Sequence, residues 1–76
     1  MEIHKEVDTR GLSCPLPILH TKKALADMQS GQILKVLATD PSAYQDFAAF
    51  SRQTSNKLLE VTTCDNKTCI FLIRRR

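Results

Sequence analysis

The residues Ser13-Cys14-Pro15-Leu16-Pro17-Ile18 set one thiol against two prolines just where an apolar periodic segment begins. Pro15 suits the first turn of a helix and biases Cys14 away from the helical region, so the spacing predicts Cys14 at the helix cap. A helix N-terminus carries roughly half a positive charge and unsatisfied NH groups, which predicts a lowered thiol pKa and makes Cys14 a candidate thiolate nucleophile. Pro15 and Pro17 have no NH, so only the donors of Leu16 and Ile18 are left to face an anion and the activation is partial. That suits a sulfur that must accept and then release a cargo, because thiol exchange is fastest when the attacking thiol's pKa lies near ambient pH. The prolines also stiffen the turn that presents the thiol. On this stretch alone the alternative is a structural cysteine buried beside a proline-capped helix.

Cys64 and Cys69 bracket Asp65-Asn66-Lys67-Thr68. With a two-residue turn at Asn66-Lys67 they would stand opposite each other, Cβ atoms about 4.5 to 5.5 Å apart, somewhat long for a disulfide. As a zinc site this Cys-x4-Cys pattern lacks a second pair, since only Cys14, His4 and His20 remain as soft ligands, and no metal is expected. The two cysteines are read as small hydrophobic strand residues, and the two histidines as solvated.

The elements that must position Cys14 follow from periodicity. Ile3, Lys5 and Val7 alternate with His4, Glu6 and Asp8, which predicts a strand ending at Arg10-Gly11. From Pro15 to Gln29 a helical stripe of Ile18, Thr21, Leu25 and Met28 follows, closed by Ser30-Gly31. Ile33 to Ala38 is nearly continuous in apolar residues, as in an inner strand. Asp40-Pro41 repeats the start signal for a second helix to about Thr54, with Ala43, Phe47, Phe50 and Thr54 as its stripe. Leu58 to Thr63 and Cys69 to Ile73 are two further strands joined by the hairpin connection at 65–68. The order β-α-β-α-β-β, with crossovers of one hand, predicts an α+β two-layer sandwich with both helices on one face of a four-stranded mixed sheet.

Seventy-six residues form one domain, 1–76, too short to feed two cores or to enclose a large active site. Apolar residues at 42% and charged residues at 25% are the balance of an ordinary globular protein, which excludes a disordered or fibrous chain. No apolar run approaches the ~20 residues of a membrane span and the first residues lack a secretion signal, so membrane insertion is not expected and the cytoplasm is. The odd cysteine count fits a reducing compartment. The net charge of +3 is uneven, with Lys22-Lys23 in the first helix and Arg74-Arg75-Arg76 at the end, which would attract an acidic partner. Direct nucleic-acid binding is disfavoured, because Phe47 and Phe50 face the expected core and no stacking platform interleaved with basic residues is visible.

Asp8-Thr9-Arg10-Gly11-Leu12-Ser13-Cys14-Pro15-Leu16-Pro17 resembles the signature of the TusA family of sulfur carriers, with Asp, Gly and a Cys-Pro-x-Pro unit at the family's relative positions. The likeness continues through Thr21-Lys22-Lys23-Ala24-Leu25 and Thr39-Asp40-Pro41 to Phe47, Phe50 and the basic C-terminus. Cysteines at 64 and 69 depart from it. The resemblance implies the same two-layer fold. It also implies that Cys14 takes a sulfane sulfur from a persulfide donor such as a cysteine desulfurase and passes it to an acceptor protein, in one branch toward 2-thiouridine in transfer RNA. Thiosulfate use, sulfur oxidation and cofactor assembly are alternative routes, and a small RNA-binding or regulatory module is an alternative of a different class. No cofactor is implied beyond a covalent persulfide on Cys14. Asp8 is expected to accept backbone hydrogen bonds within Thr9 to Ser13, and Gly11 to supply backbone freedom. Arg10 is read as offsetting the Asp8 charge or as exposed without a fixed role. Lys22, Lys23, Arg74 and Arg75, with Arg10, are the expected partner-binding residues.

Overall fold

A computed structural model describes residues 2–63 and 67–76. Its elements are β1 (Lys5–Thr9), α1 (Leu16–Ala26), β2 (Ile33–Ala38), α2 (Ala43–Thr54), β3 (Lys57–Thr63) and β4 (Cys69–Arg74). The four strands form one mixed sheet in the order β1-β2-β4-β3. β1 runs parallel to β2, while β4 is antiparallel to both β2 and β3. α1 thus returns the chain to a neighbouring strand, and α2 carries it across β4 to the far edge.

Alternation along each strand decides what the helices cover. Leu34, Val36 and Ala38 on β2 and Phe71 and Ile73 on β4 are buried in one cluster with Ala24, Leu25 and Met28 from the α1 side and Ala43, Phe47 and Phe50 from α2. Phe47 and Phe71 are fully buried with ring centroids 4.6 Å apart, so each side chain contributes about 1.5–3 kcal/mol of burial plus a tilted aromatic contact. The α+β sandwich expected from the pattern is therefore the fold, and Ile33 to Ala38 is an inner strand.

Several boundaries differ from the sequence expectation. α1 ends at Ala26 rather than Gln29, because the NH groups of Asp27 and Met28 turn back to the carbonyls of Ala24 and Leu25, tightening the last turn. Gly31 at φ +86 then donates to the Arg75 carbonyl at 2.8 Å. β1 starts at Lys5, and Thr9 joins its buried face with no exposed surface. His4 is not merely solvated: its NH donates to Ile33 O, and Ile33 NH donates to its Nδ1 at 3.0 Å, so the imidazole extends the β1–β2 ladder. β3 carries an irregularity between Leu58 and Glu60. Cys69 is in register with Thr63 and with Ala38 and packs half-buried against the core. Cys64, and with it the expected juxtaposition of Cys64 and Cys69, lies outside the described residues, as do Asp65 and Asn66 of the expected hairpin connection.

Candidate functional site

Because β1 and β2 are parallel and Thr9 is in register with Ala38, the loops that leave them emerge at one end of the sheet. Residues 10–15 and 39–42 meet there. Gly11 sits at φ +82, a conformation that favours glycine, and its NH donates to Thr39 Oγ1 at 2.9 Å. Leu12 NH donates to Thr9 O at 3.1 Å, and Thr9 Oγ1 donates to Leu37 O. Cys14 NH donates to Asp40 Oδ2 at 2.7 Å, while Asp40 Oδ1 accepts from Ser42 NH at 3.1 Å. One carboxylate thus holds the turn bearing the exposed thiol and also the turn that starts α2.

The Asp8 carboxylate does what was expected of it, accepting from Arg10 NH at 3.0 Å. Arg10 is no idle surface residue, since its guanidinium binds the same carboxylate at 2.9 and 2.7 Å. Those side-chain bonds, with the backbone bond and the arginine charge, hold the Asp8 pKa down to about 2.

Two expectations for the thiol are overturned. Cys14 is not the helix cap: Pro15 occupies that position, Cys14-Pro15 is a cis peptide, and Leu16 NH is taken by Ser13 O at 2.9 Å. The Leu16 donor is therefore not available to the sulfur. Nor is the thiol pKa lowered. A hydrogen bond to the Asp46 carboxylate pushes it up, followed by partial desolvation and the negative charges of Asp46 and Asp40. Carboxylates beside a sulfur penalise its anion more than a distant, proline-depleted helix end can favour it.

Cys14, Pro15, Ile18 and Lys22 from the α1 side and Asp46, Ala49, Phe50, Gln53 and Thr54 from α2 line a cavity of about 200 Å³. A second, of about 390 Å³, shares Lys22, Phe50 and Thr54 and reaches Arg75 and Arg76. Together they form a groove between the helices, acidic at the thiol and basic at the far end. Lys23 is exposed on α1. Arg75 is tied back, its Nε donating to Leu25 O at 3.0 Å. Arg74 follows the buried Ile73 and leaves from the opposite face of the sheet, so it does not join this groove. Leu16, Leu19 and Tyr44 are exposed, and among the described residues no group of three or more His, Cys, Asp or Glu is placed to hold a metal ion. No described helix is long and apolar enough to cross a membrane.

Sequence reasoning missed Asp46 and the grip of Thr39 and Asp40 on the thiol turn. The parallel β1–β2 pair was the available signal for the latter, because it brings both loops to one end. Nothing in the spacing of Asp46 announced its approach to Cys14.

Comparison with known proteins agrees with this geometry. The family model described as sulfurtransferase TusA matches residues 5–75. The chain is 54% identical over 59 residues to the sulfur carrier protein TusA of Allochromatium vinosum, covering 78% of each chain. It is 48% identical over 62 residues to a putative sulfur carrier protein of Bacillus subtilis, covering 82% of this chain and 83% of that one. Among solved structures, a SirA-like protein from Desulfitobacterium hafniense superposes with a TM-score of 0.83 at 25% identity, covering 93% of this chain and 96% of its own.

Proposed function

Because the chain belongs to the TusA family of sulfur carriers, we propose that Cys14 carries the sulfur as a persulfide between a donor protein and an acceptor protein. The observation that supports this most is an exposed thiol on a turn fixed from two loops, open to approaching proteins instead of enclosed. In loading, the Cys14 thiolate attacks the outer sulfur of a donor persulfide R–S–SH. The new bond joins Cys14 Sγ to that sulfur, the donor S–S bond breaks, and R–S⁻ leaves. In delivery an acceptor thiolate attacks the outer sulfur of Cys14–S–SH and Cys14 departs as thiolate. The step is disulfide-type exchange and needs no cofactor.

A cysteine desulfurase is the donor we favour, with 2-thiouridine formation in transfer RNA as the destination and the cytoplasm as the setting. Thiosulfate-derived donors would use the same residues. Lys22 and Lys23 and the terminal arginines would steer acidic partner surfaces.

The test is intact-protein mass spectrometry after incubation with a desulfurase and cysteine. The wild-type chain gains about one sulfur atom (~32 Da), removed by reductant, and Cys14→Ser gains none. Loading that persists in Cys14→Ser, or no loading from either a desulfurase or a thiosulfate-derived persulfide, would overturn the proposal.

A further inference from the structure

The two cavities between the helices share Lys22, Phe50 and Thr54, so the groove runs on from the exposed Cys14 to the C-terminal arginines. Its ends differ in charge. At the thiol end Asp46 lines the wall and Asp40 accepts from Cys14 NH at 2.7 Å. At the far end the wall carries Lys22, Arg75 and Arg76, and none of the described residues lining it is acidic. Among the described residues the side-chain ion pairs join Lys5 to Asp27, Arg10 to Asp8 and Lys35 to Glu6, so none of these three cations has an acidic side chain for a partner.

The far end is also held in shape. Arg75 Nε donates to Leu25 O at 3.0 Å and its Nη1 to Arg76 O at 2.9 Å, while Arg76 NH donates to Asn56 Oδ1 at 2.8 Å. The guanidinium is thereby fixed over the end of α1, and the rest of its five N–H donors are left for a ligand. Leu25 and Phe50 give the same stretch apolar surface. Lys22 and Leu25 lie six and nine residues beyond Leu16, about 9 and 14 Å along a helix that rises ~1.5 Å per residue. An extended chain rising ~3.3 Å per residue covers that distance in about three to five residues.

We propose that the groove seats the reactive segment of a partner protein: an extended peptide whose cysteine meets Cys14 and whose acidic side chain, about three to five residues from that cysteine, is held by Lys22 and Arg75. This deepens the carrier reading and rests on it for the partner, though not for the groove. Charge complementarity selects the occupant, because an acidic residue beside the reacting cysteine would meet Asp40 and Asp46, whereas one farther along meets only cations. Spacing as well as charge therefore decides which segments fit.

The test uses the full chain and short glycine-serine peptides, each with one cysteine as its mixed disulfide with pyridine-2-thiol. Cys14–S⁻ attacks the peptide sulfur, the new disulfide joins Cys14 Sγ to that sulfur, and the pyridine thiolate leaves, taking up a proton as the coloured thione. Release from Cys14→Ser is subtracted. A pair of glutamates stands next to the cysteine, about three to five residues away or about ten away, on either side, each matched by a glutamine peptide. The glutamate-to-glutamine rate ratio cancels the reactivity of the thiol. At low salt it is about fivefold or more at the middle spacing, the size of one contact charge interaction in water, and near one or below next to the cysteine. It falls toward one as salt approaches ~1 M, where charges are screened within ~3 Å, and in Lys22→Glu. A ratio near one at every spacing, or greatest next to the cysteine, overturns the proposal. So does a gain equal at all spacings, which would make the basic end a site for any anion, or one lost as the protein is concentrated, which would put a second copy of this chain in the groove. Lys22 is exposed, and should Lys22→Glu nevertheless fail to fold, the spacing and salt series on the wild-type chain decide. No persulfide is used, so failure of sulfur loading and failure of this proposal are separately visible.

Discussion

Replacing Asp40 by alanine should make the protein less stable and its thiol more reactive at once. Asp40 accepts from Cys14 NH at 2.7 Å and from Ser42 NH at 3.1 Å, so Asp40→Ala leaves two backbone donors to water. The Ser42 bond closes an exposed Asx-type turn just before α2, and losing such a bond costs about 0.5–1.5 kcal/mol. The Cys14 bond is charge-assisted but exposed, where water replaces much of what is lost, so the pair together is worth about 1–2 kcal/mol. In a domain of this size each kcal/mol moves Tm by about 4–8 °C, which gives a fall of ~4–16 °C by calorimetry. The Asp40 charge is also one of the causes that raise the Cys14 pKa, so its removal moves the alkylation midpoint of Cys14 to lower pH. Asp40→Asn separates the two effects. It keeps one acceptor oxygen and loses less stability, yet removes the same charge. An Asp40→Ala chain with unchanged Tm, or with a thiol that becomes harder to alkylate, would refute the reasoning.

Arg10→Ala should return the Asp8 pKa from about 2 toward the ordinary aspartate value of 3.8, read by NMR titration of the carboxyl. A depressed carboxyl favours the folded state above its unfolded pKa, so whatever this pair contributes is present above about pH 4 and fades as pH falls toward 2. Phe47→Ala removes a fully buried ring stacked on Phe71 and should cost about 3–5 kcal/mol in urea unfolding, a large share of the roughly 4–11 kcal/mol expected for a chain of this length. Thr21 is fully buried and its Oγ1 has no hydrogen-bond partner among the described residues, so Thr21→Val keeps the shape, removes an uncompensated hydroxyl and should leave Tm unchanged or raise it.

The fold was legible because its information is periodic. Val36 and Leu34 on β2, or Phe47 and Phe50 on α2, announce a buried face by their spacing alone, and the crossover rule then fixes the layers. Boundaries were less legible where a side chain overrode the repeat, as His4 does by standing in for a backbone acceptor. The position of Cys14 was readable, but its electrostatics were not. A proline-led helix start is a local signal, whereas the opposing charges come from Asp40 and Asp46, 26 and 32 residues along the chain. They reach the thiol only because two parallel strands end together and α2 starts beside them. Local rules supplied the wrong sign for the pKa because the controlling charges are not local.

That non-local arrangement bears on how a small protein presents one sulfur to more than one surface. The thiol turn has no helix-cap bond of its own, and the contacts that fix it, from Gly11 to Thr39 and from Cys14 to Asp40, cross 28 and 26 residues. Its shape is therefore set when the sheet closes, and meeting a partner need not order it again. Rigidity of the backbone leaves reactivity to be adjusted at the sulfur, where the carboxylates oppose an anion. A thiol held rigid and exposed yet disfavoured as a thiolate gains reactivity when cationic groups approach its acidic side. Loading by a donor protein should therefore outpace loading by a small neutral persulfide by more than proximity alone explains, and Asp46→Asn should narrow the gap. A gap that stays the same would place the advantage wholly in docking.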